Sequence, residues 1–215
     1  MKITHQGLLS AVILVSAAAM AFAQAPAGGR GAGGRGRGPA APALSVTTSA
    51  FADGSEIPAK YTFRGENKFP GFEFHWNLGP NPGTAPEALK TYAIVFHDIE
   101  NSSAKTTVDT LHWSVFNIPG TASSVPEGLA AGDLPDGTRN GPGIAAGRGG
   151  GAQPAYFGPG AGPGPFHHYV FEFYALDTKI DLPANTTRDE LMKAMDGHVI
   201  GKAAYVGRYH APAAQ

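Results

Sequence analysis

Acids and imidazoles gather at the ends of two apolar runs between Thr91 and Pro119. Tyr92-Ala93-Ile94-Val95-Phe96 breaks abruptly into His97-Asp98-Ile99-Glu100. After a polar loop, Leu111-His112-Trp113-Ser114-Val115-Phe116-Asn117-Ile118-Pro119 brings another histidine. Both runs are β-branched, aromatic and about a strand long, which predicts two neighbouring strands of one sheet. If they pair, Asp98 and Glu100 at the end of the first lie near His112 at the start of the second. Such a cluster at strand ends has the form of a site on a rigid scaffold. With His167 and His168 further on, His97, Asp98, Glu100 and His112 are also enough ligands for a zinc or other divalent site, the acids serving as bases. No His-x3-His spacing or comparable metal signature accompanies them. Taken alone, Asp98 and Glu100 equally fit ordinary solvated acids of an exposed loop.

The elements that must position these residues are mostly short strands. Leu44-Ser45-Val46-Thr47-Thr48 alternates as an edge strand, Tyr61-Thr62-Phe63 begins another, and Phe72-Glu73-Phe74-His75-Trp76 alternates strictly. Arg64 to Asn67 reads as a turn and Gly79 to Gly83 as a loop. From Gly120 to Gly164 no regular pattern emerges. Gly147 to Gly151 has the composition of a disordered segment, whereas Tyr156-Phe157-Gly158-Pro159 is aromatic enough to pack back. His168 to Leu176 is the strongest strand, with Tyr169, Phe171, Phe173 and Ala175 on one face and Val170, Tyr174 and Leu176 on the other. Thr187 to Gly197 is the one clear helix: Thr187 and Glu190 form a capping box, Leu191, Ala194 and Met195 a buried stripe, and Gly197 ends it. Ala203 to Tyr209 is a last strand. Many short strands, one helix near the C-terminus and long loops indicate a mainly β, β-sandwich-like domain over residues 44–210. Trp76, Trp113, Phe171 and Phe173 read as core, His75 and His198 as surface histidines, and His97 alternates away from Asp98.

The ends of the chain have a different character. Lys2 followed by the uncharged, apolar stretch Gly7 to Phe22 and the small-x-small triplet Ala21-Phe22-Ala23 predicts a signal peptide over residues 1–23, with cleavage before Gln24. The run is short for a membrane span and lacks a charged stop, so the mature protein is expected to have no stable span and to be exported, periplasmic or secreted. Residues 24–43 are almost entirely Gly, Ala, Pro and Arg and predict a flexible linker. There are no cysteines, so no disulfide framework supports the fold and burial must. From Leu44 onward 12 Lys and Arg face 17 Asp and Glu. That acidic balance argues against nucleic acid as a partner, and Arg30, Arg35 and Arg37 in the linker lack the aromatic residues of a nucleic-acid-binding tail.

The order of motifs resembles the bacterial phosphatidylethanolamine-binding protein family, also called Raf-kinase-inhibitor-like. It is carried by Tyr61-Thr62 with Gly65, Asn67 and Pro70; Trp76; Ile94-Val95 leading into Asp98-Ile99-Glu100; and His112-Trp113 with Asn117-Ile118-Pro119. Pro126-Glu127-Gly128, Gly158-Pro159 and His167 to Phe171 follow, then Tyr174 to Asp177, Leu182-Pro183, and Gly197-His198 through Val206-Gly207. The resemblance implies a β-sandwich with a small anion pocket at one end, for phosphate, phosphorylated small molecules or phospholipid headgroups. It assigns ligand binding to Asp98, Glu100, His112, Pro159, His167, His168 and Tyr169, with no catalytic residue, metal or cofactor. Ile99 and Ser102 replace the prolines usual in the acidic loop, and Glu100 is one methylene longer than the usual aspartate. His168 replaces an arginine fork with a titratable ring, and Arg64 stands where an aspartate is common. The glycine-rich stretch around Gly147 falls beside the expected pocket mouth.

In that reading, acids placed behind His112 and His167 accept an imidazole N–H, fix the tautomer and raise the ring's proton affinity, so that the imidazolium donates to phosphate. A free carboxylate can instead accept the ammonium of an ethanolamine-like headgroup. The alternatives are an interaction or inhibitor module using the loop after Gly120, and a metal-dependent hydrolase. No Gly-x-Ser-x-Gly occurs, and Ser114 lies mid-strand, which disfavours a serine hydrolase. A homodimer or a protein partner stays open.

Overall fold

Strict alternation in the sequence becomes two antiparallel sheets. The computed structural model describes residues 43–76, 83–101, 105, 107–141 and 154–213. The predicted signal peptide, nearly all of the linker, most of the loop at Gly79–Gly83, Ser102 and the glycine-rich stretch at Gly147 lie outside the described residues. In chain order the elements are β1 (Leu44–Thr47), β2 (Phe72–Trp76), β3 (Thr91–Asp98), β4 (Thr110–Pro119), β5 (Ser124–Val125), β6 (Arg139–Asn140), β7 (His167–Leu176), α1 (Arg188–Met195) and β8 (Val199–Tyr209). One sheet has the order β1-β2-β5 and the other β6-β4-β3-β7-β8. The sandwich-like, mainly β expectation holds.

Large aromatic side chains fill the space between the sheets. Phe72 of the smaller sheet meets Phe171 and Phe173 of the larger at ring-centroid distances of 5.1 and 4.9 Å, and Phe74 stacks on Tyr92 at 4.1 Å. Trp76, Trp113, Phe171 and Phe173 are all buried core residues. Each ring so enclosed contributes roughly 1.5–3 kcal/mol of hydrophobic free energy. The two core indoles are satisfied: that of Trp76 donates to Tyr92 Oη at 3.0 Å, and that of Trp113 to Asn140 Oδ1 at 2.6 Å.

β3 lies at the centre of the larger sheet and is buried on both faces. Ile94 and Phe96 point into the sandwich, whereas Ala93 and Val95 join Phe116, Leu176, Leu191 and Met195 under α1. The helix starts as the sequence predicts, with Thr187 as N-cap and a complete capping box to Glu190. The turn at Gly197 has φ of +82°, a left-handed conformation that glycine adopts without strain.

Three local expectations change. Tyr61-Thr62-Phe63 is not a strand: Ala59–Tyr61 forms a single 3-10 turn, because the Tyr61 and Thr62 N–H groups bond back to Pro58 and Ala59 carbonyls and the Thr62 hydroxyl does the same. The stretch after Gly120 contains two ladders of two residues each, β5 and β6, too short to show any period. The last strand begins at Val199, earlier than its alternation suggests. All described residues fall within one compact unit, and no helix among them is long and apolar enough to cross a membrane.

Candidate functional site

Asp98 is the last residue of β3, paired across the ladders with Thr110 of β4 and Tyr169 of β7. Its Oδ1 accepts the backbone N–H of Glu100 and of Asn101, both at 3.0 Å, so the side chain itself turns the chain out of the strand. The same carboxylate accepts the His167 Nδ1–H, with contacts of 3.0 and 2.9 Å to its two oxygens. Tyr169, fully buried, holds its hydroxyl near Asp98, and its oxygen accepts from Ala161 N at 3.1 Å and Gly160 N at 3.3 Å. Burial, and then the Asp98 charge, hold the Tyr169 phenol far above the ordinary tyrosine range. Tyr169 is therefore a strut under the loop at Pro159.

His112 occupies an irregularity of β4. The ladder passes from Phe96↔Trp113 to His97↔Leu111, which leaves His112 as the extra residue of a bulge, and bulges re-aim a side chain. The ring is turned inward against Phe96, Tyr169 and Phe157 at centroid distances of 5.4, 5.2 and 5.8 Å. Its Nδ1 donates to the Phe157 carbonyl at 3.0 Å. The partner of this imidazole is thus a neutral carbonyl and not an acid. Burial pushes its pKa below the usual histidine value, with the Phe157 carbonyl and the Asp98 charge pulling more weakly upward. The expectation that both imidazoles gain proton affinity from an acid therefore fails for His112.

The strip that caps His112 is fixed chiefly by Asn67 and Phe63, which the sequence reading did not assign to the site. Asn67, in the left-handed region with φ of 55°, accepts Gly158 N at 2.8 Å and donates to the Tyr156 carbonyl at 3.4 Å. Phe63 N donates to the Pro159 carbonyl at 2.9 Å, and the Phe63 ring, exposed on its outer side, stacks on Phe157 at 4.6 Å. Tyr156 packs inside and donates its hydroxyl to the Tyr61 carbonyl at 3.1 Å. The signal for Asn67 was present in its place beside Gly65 in the motif, but its reach of 91 residues to Gly158 was not readable.

Asp98, His112, His167, Tyr169 and the Pro159 strip come together at one end of the sandwich. His168 and Glu100 stand apart. Alternation along β7 sends His168 to the opposite face from Tyr169, where its Nδ1 lies 2.6 Å from Glu100 Oε1 and its backbone N donates to Glu100 Oε2 at 2.7 Å. Both side chains are substantially exposed.

His97 also faces away from the Asp98–His167 pair. Its Nδ1 lies 2.6 Å from Asp109 Oδ2 and its Nε2 3.6 Å from Glu172 Oε2. Neither nitrogen makes a hydrogen bond: Asp109 approaches off the Nδ1 N–H direction, and Glu172 is too far from Nε2. Arg188 of α1 pairs with the other oxygen of Asp109, and Tyr174 donates to Glu172 at 3.0 Å. The six candidate metal ligands are thus divided between the two faces of one sheet. Among the described residues no three His, Asp or Glu side chains are arranged to hold a metal ion. His75 bonds to Thr47 at 2.8 Å and His198 to Asp177 at 2.8 Å, both at the surface.

A family model described as phosphatidylethanolamine-binding protein matches residues 47–210. A UPF0098 protein of Methanothermobacter thermautotrophicus is 35% identical over 167 residues, which is 77% of this chain and 98% of that one. A solved structure from Chlamydia trachomatis, described as a homologue of phosphatidylethanolamine-binding protein, superposes with a TM-score of 0.64 at 27% identity, over 79% of this chain and 99% of the other. The E. coli YbcL structure gives 0.62 at 24% identity over the same shares, and speaks for the fold.

Proposed function

The chain belongs to the phosphatidylethanolamine-binding protein family, and from that membership we propose that it is an exported, non-catalytic binding protein with a small anion pocket. The ligand class is phosphate, a phosphorylated small molecule or a phospholipid headgroup. Residues 1–23 act as the signal peptide and 24–43 as a tether for the domain at 44–210. The observation that carries the reading is the Asp98–His167 pair, at 3.0 and 2.9 Å, set beside the inward-turned His112. With Nδ1 committed to Asp98, the Nε2 of His167 has no hydrogen-bond partner among the described residues and can meet a ligand oxygen, and a charge-assisted bond of this kind is worth about 1.5–3 kcal/mol. Pro159 and Tyr169 shape the wall, while His168 and Glu100 pair with each other on the opposite face of the strand.

Calorimetric titration of the mature protein with inorganic phosphate and with phosphoethanolamine tests this, comparing wild type with His167→Ala. Saturable binding that the substitution weakens by roughly tenfold or more supports it. Equal uptake by both proteins, or none by either, rejects it. Metal analysis of the purified protein addresses the hydrolase alternative, since stoichiometric zinc would favour that reading.

A further inference from the structure

The two imidazoles of the pocket are held in different ways, and the difference bears on what a ligand must bring. A carbonyl oxygen can only accept, so the His112 nitrogen 3.0 Å from the Phe157 carbonyl carries the hydrogen. In the neutral ring Nε2 then holds a bare lone pair. No hydrogen bond to that atom is made among the described residues, although the Gly158 carbonyl also lies near the ring. The atom is not sealed in either, because the only fully buried, unpartnered side-chain nitrogens among those residues are the two of His97.

The surroundings of His112 keep it neutral. Phe96, Tyr169 and Phe157 enclose it, and the residue is 2% exposed. The nearest acid, Asp98 on β3, already accepts from Glu100 N, Asn101 N and His167 Nδ1. The other titratable groups around the ring are His97 on β3, Tyr169 with His167 beyond it on β7, and Tyr156 from the capping strip. None is a free carboxylate. Burial favours the uncharged imidazole, as the direction of its pKa also says.

We propose that the pocket selects an oxyanion that carries its own hydrogen: inorganic phosphate, or a phosphate monoester in its singly protonated form. The ligand's P–O–H donates to Nε2 of His112, and its unprotonated oxygens face the Nε2 side of His167. Sulfate and phosphodiesters, which have no O–H near neutral pH, place a lone pair against a lone pair at His112. A diester lipid headgroup would have to offer its ammonium there instead. This inference rests on the anion-pocket reading above, and it adds the protonation state of the ligand.

The test is a titration panel on the wild-type mature protein, using inorganic phosphate, sulfate, methyl phosphate and dimethyl phosphate. Phosphate should bind at least roughly tenfold more tightly than sulfate, the penalty of one unpaired acceptor. Methyl phosphate should lose up to roughly tenfold in affinity per pH unit above its second pKa of about 6, where it sheds its only hydrogen. Inorganic phosphate, which keeps one, should hold its affinity to within a few fold across that range. Sulfate or dimethyl phosphate binding as well as phosphate overturns the proposal and leaves the anion pocket standing. Failure of all four to bind overturns both. Nitrogen NMR of the His112 ring gives a second readout: a neutral ring protonated at Nδ1 in the phosphate complex is expected, and an imidazolium there overturns the proposal.

Discussion

The Asp98 carboxylate holds the His167 imidazole while also accepting two backbone N–H groups of the turn that follows it. One side chain therefore ends β3, sets the acidic loop and orients the His167 ring. Asp98 is itself buried, so in the anion-pocket reading it acts through the ring it holds. It is a positioning residue. Asp98→Asn keeps the shape and removes the charge, so the His167 ring loses its carboxylate. Phosphate affinity should fall by roughly tenfold, about 1.4 kcal/mol, as read by calorimetry. His167→Asn in the same assay should lose at least as much, and the double variant should add little, because the two act as one unit.

Gly158 sits where the capping strip crosses the turn after Ala59–Tyr61. A Cβ there would meet the Tyr61 carbonyl oxygen at 2.3 Å and the Phe63 nitrogen at 3.0 Å, both backbone atoms that cannot swing aside. Gly158→Ala should push the strip off His112 and cost about 1–3 kcal/mol of stability in urea unfolding. It should also release the Phe157 carbonyl, so phosphate selectivity over sulfate should shrink along with stability. An alanine variant as stable as wild type would mean that the strip moves freely.

Much of this molecule can be read from its periodicities. β2 and β7 alternate as written, and the capping box at Thr187 and Glu190 fixes the helix start. The ends of β3 and β4 put Asp98 near His112 because a hairpin of two central strands admits that arrangement. The same period of two, applied to His167-His168-Tyr169, separates His168 from its neighbours, so its outward pairing with Glu100 was within reach of the sequence. The partner of His112 was not, since a bulge aims the ring and the Phe157 carbonyl arrives from 45 residues away. Nor was the charge cluster at His97, assembled from β3, β7, α1 and the residue before β4. Tyr61 to Phe63 has strand-forming residues, and the turn won because Pro58 and Thr62 supply its hydrogen bonds.

That charge cluster ties α1 to the sheet. Arg188 pairs with Asp109, which also faces His97, and Glu172 lies on the ring's other side. Arg188→Met should leave Asp109 half-buried without its cation and cost about 1–3 kcal/mol. Asp109→Asn in the Arg188→Met background should cost less than Asp109→Asn alone, because the charge has already lost its partner. Chemical denaturation of the four proteins gives the coupling. Additive losses would show that the helix docks through Leu191 and Met195 alone.

His112 should leave its mark on how stability varies with pH. In the unfolded chain it titrates near the ordinary 6.5, and in the fold burial lowers that value. Between the two values the unfolded state binds a proton that the folded state refuses, so unfolding becomes easier as pH falls. The stabilisation is fully present above about pH 6.5 and is lost as pH drops through the folded value. His112→Phe removes the titration while keeping a ring among Phe96, Tyr169 and Phe157, and it forgoes the bond to the Phe157 carbonyl. The variant should be less stable at neutral pH by about 0.5–1.5 kcal/mol. Its loss of stability on acidification should be shallower than that of the wild type, by at most about 1.4 kcal/mol per pH unit, the limit for one proton. Urea unfolding at several pH values between about 5 and 8 measures both slopes. Parallel curves for the two proteins would show that the ring takes up its proton as readily inside the fold as outside, and the neutral acceptor would have to be given up.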